Sequence, residues 1–200
     1  MSAVTKIEPA PAPAPVQIMA GEAVVRAVRR IAHEIHERHA DLSHLVLVGI
    51  RRGGEPLAAG LVAAIRDLAD DEVVASALDV AGFRDDEPRG SVRPHPIWTP
   101  LLGGDAATPA SLGPDVDGAT VVLVDDVIET GRTLRAALDA LASRGRPAAV
   151  ELAVLIDRGG RELPMRPTYV GKNIPASPTD WVDVRVTGGD AGSGVYLVAR

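Results

Sequence analysis

Three short apolar runs, Leu45–Ile50, Thr120–Val124 and Val150–Ile156, decide which architectures are open to this chain. Each is too short for a buried helix and too continuous for a half-exposed strand, so each reads as a strand covered on both faces. The stretches between them carry a different period. Over 21–39, Val24, Val25, Val28, Ile31, Ala32 and Ile35 form one apolar stripe, and Arg26, Arg29, Arg30, Glu34 and Glu37 take the opposite face. The same spacing predicts helices over 55–69 (Leu57, Ala58, Leu61, Val62, Ile65) and 131–143 (Leu134, Ala137, Leu138, Leu141), and Val73–Val80 reads as a further strand. Strand and helix alternate, which predicts an α/β fold: a mostly parallel sheet flanked by helices. Ligands of such sheets bind outside the carboxyl ends of the strands. The residues after Ile50, Val124 and Ile156 are therefore the place to look.

The rest of the chain adds appendages to that core. Residues 1–16 hold an alternating Ala/Pro tract and are predicted to be a disordered tail, leaving 17–200 as one domain. Residues 82–118 contain six prolines and six glycines without a long periodic segment, and read as a flexible flap. Short strands are predicted near 168–171, 181–187 and 194–199. Aromatic residues make up only 2%, so the core must be aliphatic, and an aromatic platform for stacking nucleotides is disfavoured. The 21 basic and 27 acidic residues leave a net charge of −6, which excludes a protein that coats nucleic acid by charge alone. The absence of cysteine excludes disulfides, thiolate metal sites and thiol catalysis. With no apolar run of about 18 residues and no signal-peptide pattern, the expectation is a cytoplasmic protein with no membrane span.

The chemistry concentrates in Asp125-Asp126-Val-Ile-Glu129-Thr130-Gly131-Arg132-Thr133, where a strand gives way to a helix. A helix N-terminus offers free N–H groups to an anion. Gly131 allows close approach, and the Thr130 and Thr133 hydroxyls add donors. Adjacent carboxylates cannot share that anion. They suit ribose hydroxyls, a hydrated Mg²⁺ or a developing positive charge. Phosphate at one end and a vicinal diol at the other describe a ribose 5-phosphate.

Val121–Thr133 resembles the phosphoribosyl-diphosphate (PRPP) signature of type I phosphoribosyltransferases. Ile31–Ile35, Leu47–Ile50, Phe83–Asp86, Asp157–Pro164 and Tyr169–Pro175 are similar to the PyrR family, the pyrimidine operon attenuators with uracil phosphoribosyltransferase activity. The resemblance covers residues 17–200. It implies the type I phosphoribosyltransferase fold with a flexible flap and a small hood. It implies transfer from PRPP to uracil, giving UMP and diphosphate with Mg²⁺, and UMP-dependent binding of pyrimidine operon leader mRNA. A homo-oligomer, dimer or tetramer, is expected with it.

Residue by residue, the likeness places Glu129, Thr130, Gly131, Arg132 and Thr133 around the 5-phosphate. Asp125 and Asp126 fall at the ribose, touching metal only indirectly through PRPP or water. Arg51, Arg52 and Gly53 match the diphosphate loop, and Arg84 is a candidate for the leaving diphosphate. The hood segment 169–175 would face the base, with Tyr169 packing on the ring and the Val170 backbone reading its edge. Asp125, Asp126, Glu129 and Arg84 form the expected catalytic set.

The chain departs from the family at three points. Glu129 stands where many members have an aromatic residue; a carboxylate there is usual in purine enzymes, either as a base or as a turn cap. Gly53-Gly54 stands where relatives often carry an arginine. The flap is longer. A purine phosphoribosyltransferase, or an RNA regulator with little transferase activity, remain the alternatives. For RNA, the candidates are Arg144, Arg146, Arg158, Arg161, Arg166 and Lys172, in a stretch (141–172) that carries six basic and three acidic residues. His33, His36 and His39 drift around their helix and do not converge as a metal site. Trp98 and Trp181 are expected to pack in the lid or core.

Overall fold

A computed structural model describes residues 14–69, 72–85, 97–102 (backbone), 113–175, 177, 179–186 and 193–199. The elements run β1 (Val16–Ala20), α1 (Gly21–Arg38), β2 (Leu45–Ile50), α2 (Gly54–Ala69), β3 (Val74–Asp79), β4 (Ile97–Leu102), β5 (Thr120–Ile128), α3 (Arg132–Ala142), β6 (Ala149–Asp157), β7 (Tyr169–Asn173), β8 (Trp181–Arg185) and β9 (Gly194–Val198). A 3₁₀ turn, Ala81–Phe83, follows β3.

The main sheet has the order β4-β3-β2-β5-β6-β7. Five strands are parallel and β4 is an antiparallel edge. Alternation along each strand sends side chains to two separate cores. Leu47, Val122, Val124, Ala153 and Leu155 pack under α1 and α2 with Ile31, Ile35, Leu61 and Ile65. Val48, Ile50, Val121, Leu123 and Val154 meet Ala137 and Leu141 of α3 on the other face. Both cores are almost wholly aliphatic, as the composition requires. Among the described residues no helix is long and apolar enough to cross a membrane.

The three parallel strands and three helices stand where the apolar periodicity puts them. Three features differ. The predicted flap contains β4, which pairs with β3 from Ala75↔Leu102 to Asp79↔Ile97. Residues 86–96 and 103–112 of that flap lie outside the described residues, as do 1–13 of the predicted tail. The strand expected to stop at Val124 runs on to Ile128, because Val127 and Ile128 continue the ladder opposite Ile156 and Asp157. Finally, β1 was not expected. It begins at Val16, and its partner is β9, with Val16 opposite Leu197. The hood expected at 169–175 is instead β7, the edge of the main sheet, and its place is taken by the small antiparallel sheet β1-β9-β8, built from segments far apart in sequence.

Candidate active site

α2 leads from β2 outward to β3, and α3 leads from β5 outward to β6, so the connections diverge between β2 and β5. That divergence opens a crevice at the carboxyl ends of the strands. Asp125 and Asp126 sit there, within the last turn of the β5 ladder rather than in a loop. Their carboxylates accept local backbone bonds: Asp125 Oδ1 from the Asp126 N–H at 3.0 Å, and Asp126 Oδ1 from the Val127 N–H at 2.8 Å. Burial pushes the Asp125 carboxyl well above its ordinary value; the Asp126 charge adds to this, and the Arg84 guanidinium opposes it. Burial raises Asp126 as well, against the Val127 N–H bond.

The loop after β2 closes over this pair. A Cβ on Gly53 would land on the Asp126 carboxylate, and one on Gly54 would land on the Val124 carbonyl. With these two glycines the loop sits directly on the acids, and a side chain at either position would force Asp126 or the loop to shift. Arg52 adopts φ 89°, a left-handed conformation that costs a non-glycine residue about 1 kcal/mol or more. It is exposed, and no ion pair engages it among the described residues. Arg51, in contrast, bonds Glu55 at 3.1 Å and lies 4.0 Å from Asp79.

The loop after β5 forms the opposite wall. Gly131 has φ 89° and packs against Leu163 and Met165. The Thr130 carbonyl accepts from the Glu162 and Leu163 N–H groups at 3.1 and 3.0 Å. Arg84 donates to Thr133 Oγ1 at 3.4 Å. The Arg132 side chain turns away from the crevice, to Glu162 at 2.7 Å and Asp85 at 2.9 Å, so only its backbone remains at the expected phosphate position. A cavity of about 320 Å³ is lined by Arg84, Asp125, Glu129, Thr133, Arg158 and Trp181, among others.

Several predicted roles are corrected. Tyr169 is buried under α1; its hydroxyl donates to Glu151 at 2.6 Å. Burial and this bond push the phenol up, beyond any physiological titration. In the parallel register Tyr169 lies beside Ala153, below the acids, and so cannot reach a base in the cavity. Val170 does not border the cavity either, and its carbonyl accepts from Arg30 at 2.8 Å. Two of the RNA candidates have their donors engaged within the protein. Arg158 is 5% exposed, 3.2 Å from Glu129 Oε2, and donates to the Ser177 carbonyl at 2.9 Å. Arg161 spends its donors on the Met165 and Glu129 carbonyls and on Asp157, pinning the loop 128–131. Arg146, Arg166 and Lys172 are exposed, although Lys172 also bonds the Ile18 carbonyl at 3.0 Å, and Arg144 is half-buried. His39 pairs with Glu151 at 3.0 Å. Trp181, expected to be lid or core packing, is 47% exposed and faces the cavity from β8. Its only signal in the sequence was rarity, an aromatic residue in a chain nearly without them.

Residues 16–186 match the family described as phosphoribosyl transferase domain. "Bifunctional protein PyrR" from Roseiflexus sp. (strain RS-1) is 46% identical over 183 residues, covering 91% of this chain and 94% of that protein. "Bifunctional protein PyrR" from Chloroflexus aurantiacus is 48% identical over 170 residues, covering 85% and 87%. Among solved structures, a hypoxanthine-guanine phosphoribosyltransferase from Bacillus anthracis superposes with a TM-score of 0.64 at 17% identity, covering 95% of this chain and all of that one, a likeness of fold.

Proposed function

The chain belongs to the PyrR family of phosphoribosyltransferases, and on that premise we propose that it transfers ribose 5-phosphate from PRPP to uracil in the cytoplasm and binds pyrimidine operon leader mRNA with UMP as co-regulator. The observation that carries the transferase reading is the acidic pair packed directly under Gly53, between the diphosphate loop and the start of α3. One loop would grip the leaving group, the helix start would grip the 5-phosphate, and the acids lie between, where the sugar would sit.

The donor set suits Mg²⁺ shared with substrate. No group of three metal-ligating side chains exists among the described residues, and this ion is usually held by one or two carboxylates together with substrate phosphates. Asp125 and Asp126 would meet such an ion only through its water or through PRPP, and the bound ion would offset charge on the diphosphate.

The chain's own residues carry the rest. Thr130, Thr133 and the backbone at Gly131 hold the 5-phosphate. Arg52, exposed on the glycine loop, gathers the diphosphate, and Arg84, bonded to Thr133 Oγ1, adds its charge at the 5-phosphate end. As the bond from the anomeric carbon to the diphosphate oxygen breaks, positive charge grows on the sugar, and the ionised acids stabilise it. N1 of uracil then bonds that carbon, and its proton passes to Glu129 or to solvent. Trp181 offers a face for the base. A homo-oligomer, and the exposed Arg146, Arg166 and Lys172 as phosphate contacts for RNA, belong to the same proposal.

The test is UMP formation from PRPP and labelled uracil with Mg²⁺, with hypoxanthine, guanine and orotate in parallel. UMP from uracil alone is the expected result. Product from hypoxanthine or guanine would make Glu129 the base of a purine enzyme. No product from any base, with RNA still bound, would leave the regulator alone.

A further inference from the structure

Residues 84 and 85 cross the first turn of α3 with their side chains on opposite sides. Arg84 points inward, lining the cavity and donating to Thr133 Oγ1. Asp85 points outward, and its Oδ2 accepts from Arg132 at 2.9 Å and from Arg135 at 2.8 Å. Arg132 also grips Glu162 at 2.7 Å, and the Glu162 N–H bonds the Thr130 carbonyl. The Asp85 carboxylate therefore ties the chain after β3 to the first turn of α3, and Arg132 extends the tie to the loop after β6 through Glu162.

These groups are between one-third and one-half exposed, and ion pairs so exposed add little to stability. What the bonds do fix is direction. Arginine carries a long, rotatable stem, and a charged group contributes to binding only where it is held in place. Because residues 84 and 85 are adjacent, anchoring the Asp85 carboxylate fixes the backbone from which Arg84 departs. We infer that Asp85 is a positioning residue for PRPP: it sets Arg84 at the anion end of the cavity without touching the ligand. Arg132 then belongs to the same frame, its charge spent on Asp85 and Glu162 rather than on phosphate. This inference rests on the PRPP reading above.

The test compares Asp85→Asn, Asp85→Glu and Arg135→Ala with the wild type, using calorimetric binding of PRPP with Mg²⁺, KM for each substrate, kcat and thermal midpoint. Asp85→Asn is expected to weaken PRPP binding about tenfold, with KM for uracil and the thermal midpoint unchanged. Asp85→Glu should recover most of the loss. Arg135→Ala should reproduce part of it, and adding it to Asp85→Asn should cost little more, since both cut the same link. Unchanged PRPP affinity in Asp85→Asn would overturn the assignment. So would weakening of both substrates together with a lowered midpoint, which would mark a scaffold role. A wild-type protein that binds no PRPP would overturn the PRPP reading itself, and this inference with it.

Discussion

Asp125 shows what the site costs the empty protein. Its carboxyl is raised by burial and by the Asp126 charge, so between its ordinary value and the raised one the folded chain holds a proton that the unfolded chain has released, and above both it is ionised at a cost to the fold. Stability is therefore lost as pH rises from the ordinary carboxyl value of 3.8 through the raised one. Asp125→Asn keeps the Oδ1 acceptor and removes the penalty. Its thermal midpoint at neutral pH should exceed that of the wild type by about 2–4 °C, and the gain should vanish as pH approaches 4. The same variant combined with Asp126→Asn should abolish transfer in the uracil assay. A double variant that turns over normally would refute the role of the pair. Gly53 makes the complementary point. Gly53→Ala drives a methyl into Asp126, so KM for PRPP should rise at least about tenfold, and an unchanged KM would mean that the loop has room to shift.

At the scale of elements, β8 carries the least expected contribution. Trp181 projects from it into the cavity. Trp181→Ala should raise KM for uracil by about tenfold, the worth of one stacked base, while calorimetric PRPP affinity holds; equal losses for both ligands would place Trp181 elsewhere in the mechanism. The sequence made the parallel strands and the helices legible because each carries its own period and is covered on both faces. The acids and the turn at Gly131 were legible for a related reason: they are contiguous in sequence and their spacing is chemical, while Gly53, far from them in sequence, was found through the resemblance alone. The base end was not. Tyr169 and Val170 drew attention because they lie in a distinctive run, yet the register with Ala153 and Val154 sets them below the cavity. Trp181 reaches the cavity only through a sheet whose pairing, β8 to β9 to β1, has no local signature. Arg158 and Arg161 counted as surface charge in the sequence, and only folding shows that their donors are spent on the protein's own carbonyls and carboxylates.

Across the whole molecule, the net charge of −6 means that any RNA face must be local. With Arg158 and Arg161 removed from it, the exposed Arg146, Arg166 and Lys172 remain. Arg166→Ala should weaken leader RNA binding and lower the slope of log affinity against log salt by about 1, leaving uracil transfer unaltered. An unchanged slope would show that RNA docks on another face.

The hood has a consequence in time. Val16 pairs with Leu197, so the sheet that presents Trp181 needs the last strand described as well as the first. A ribosome delivers the acids, the glycine loop and the start of α3 well before β9. A growing chain can thus complete the half of the crevice that holds the acids and the glycine loop while the wall that carries Trp181 is still unmade. At the proposed base site, choice of base waits for β9.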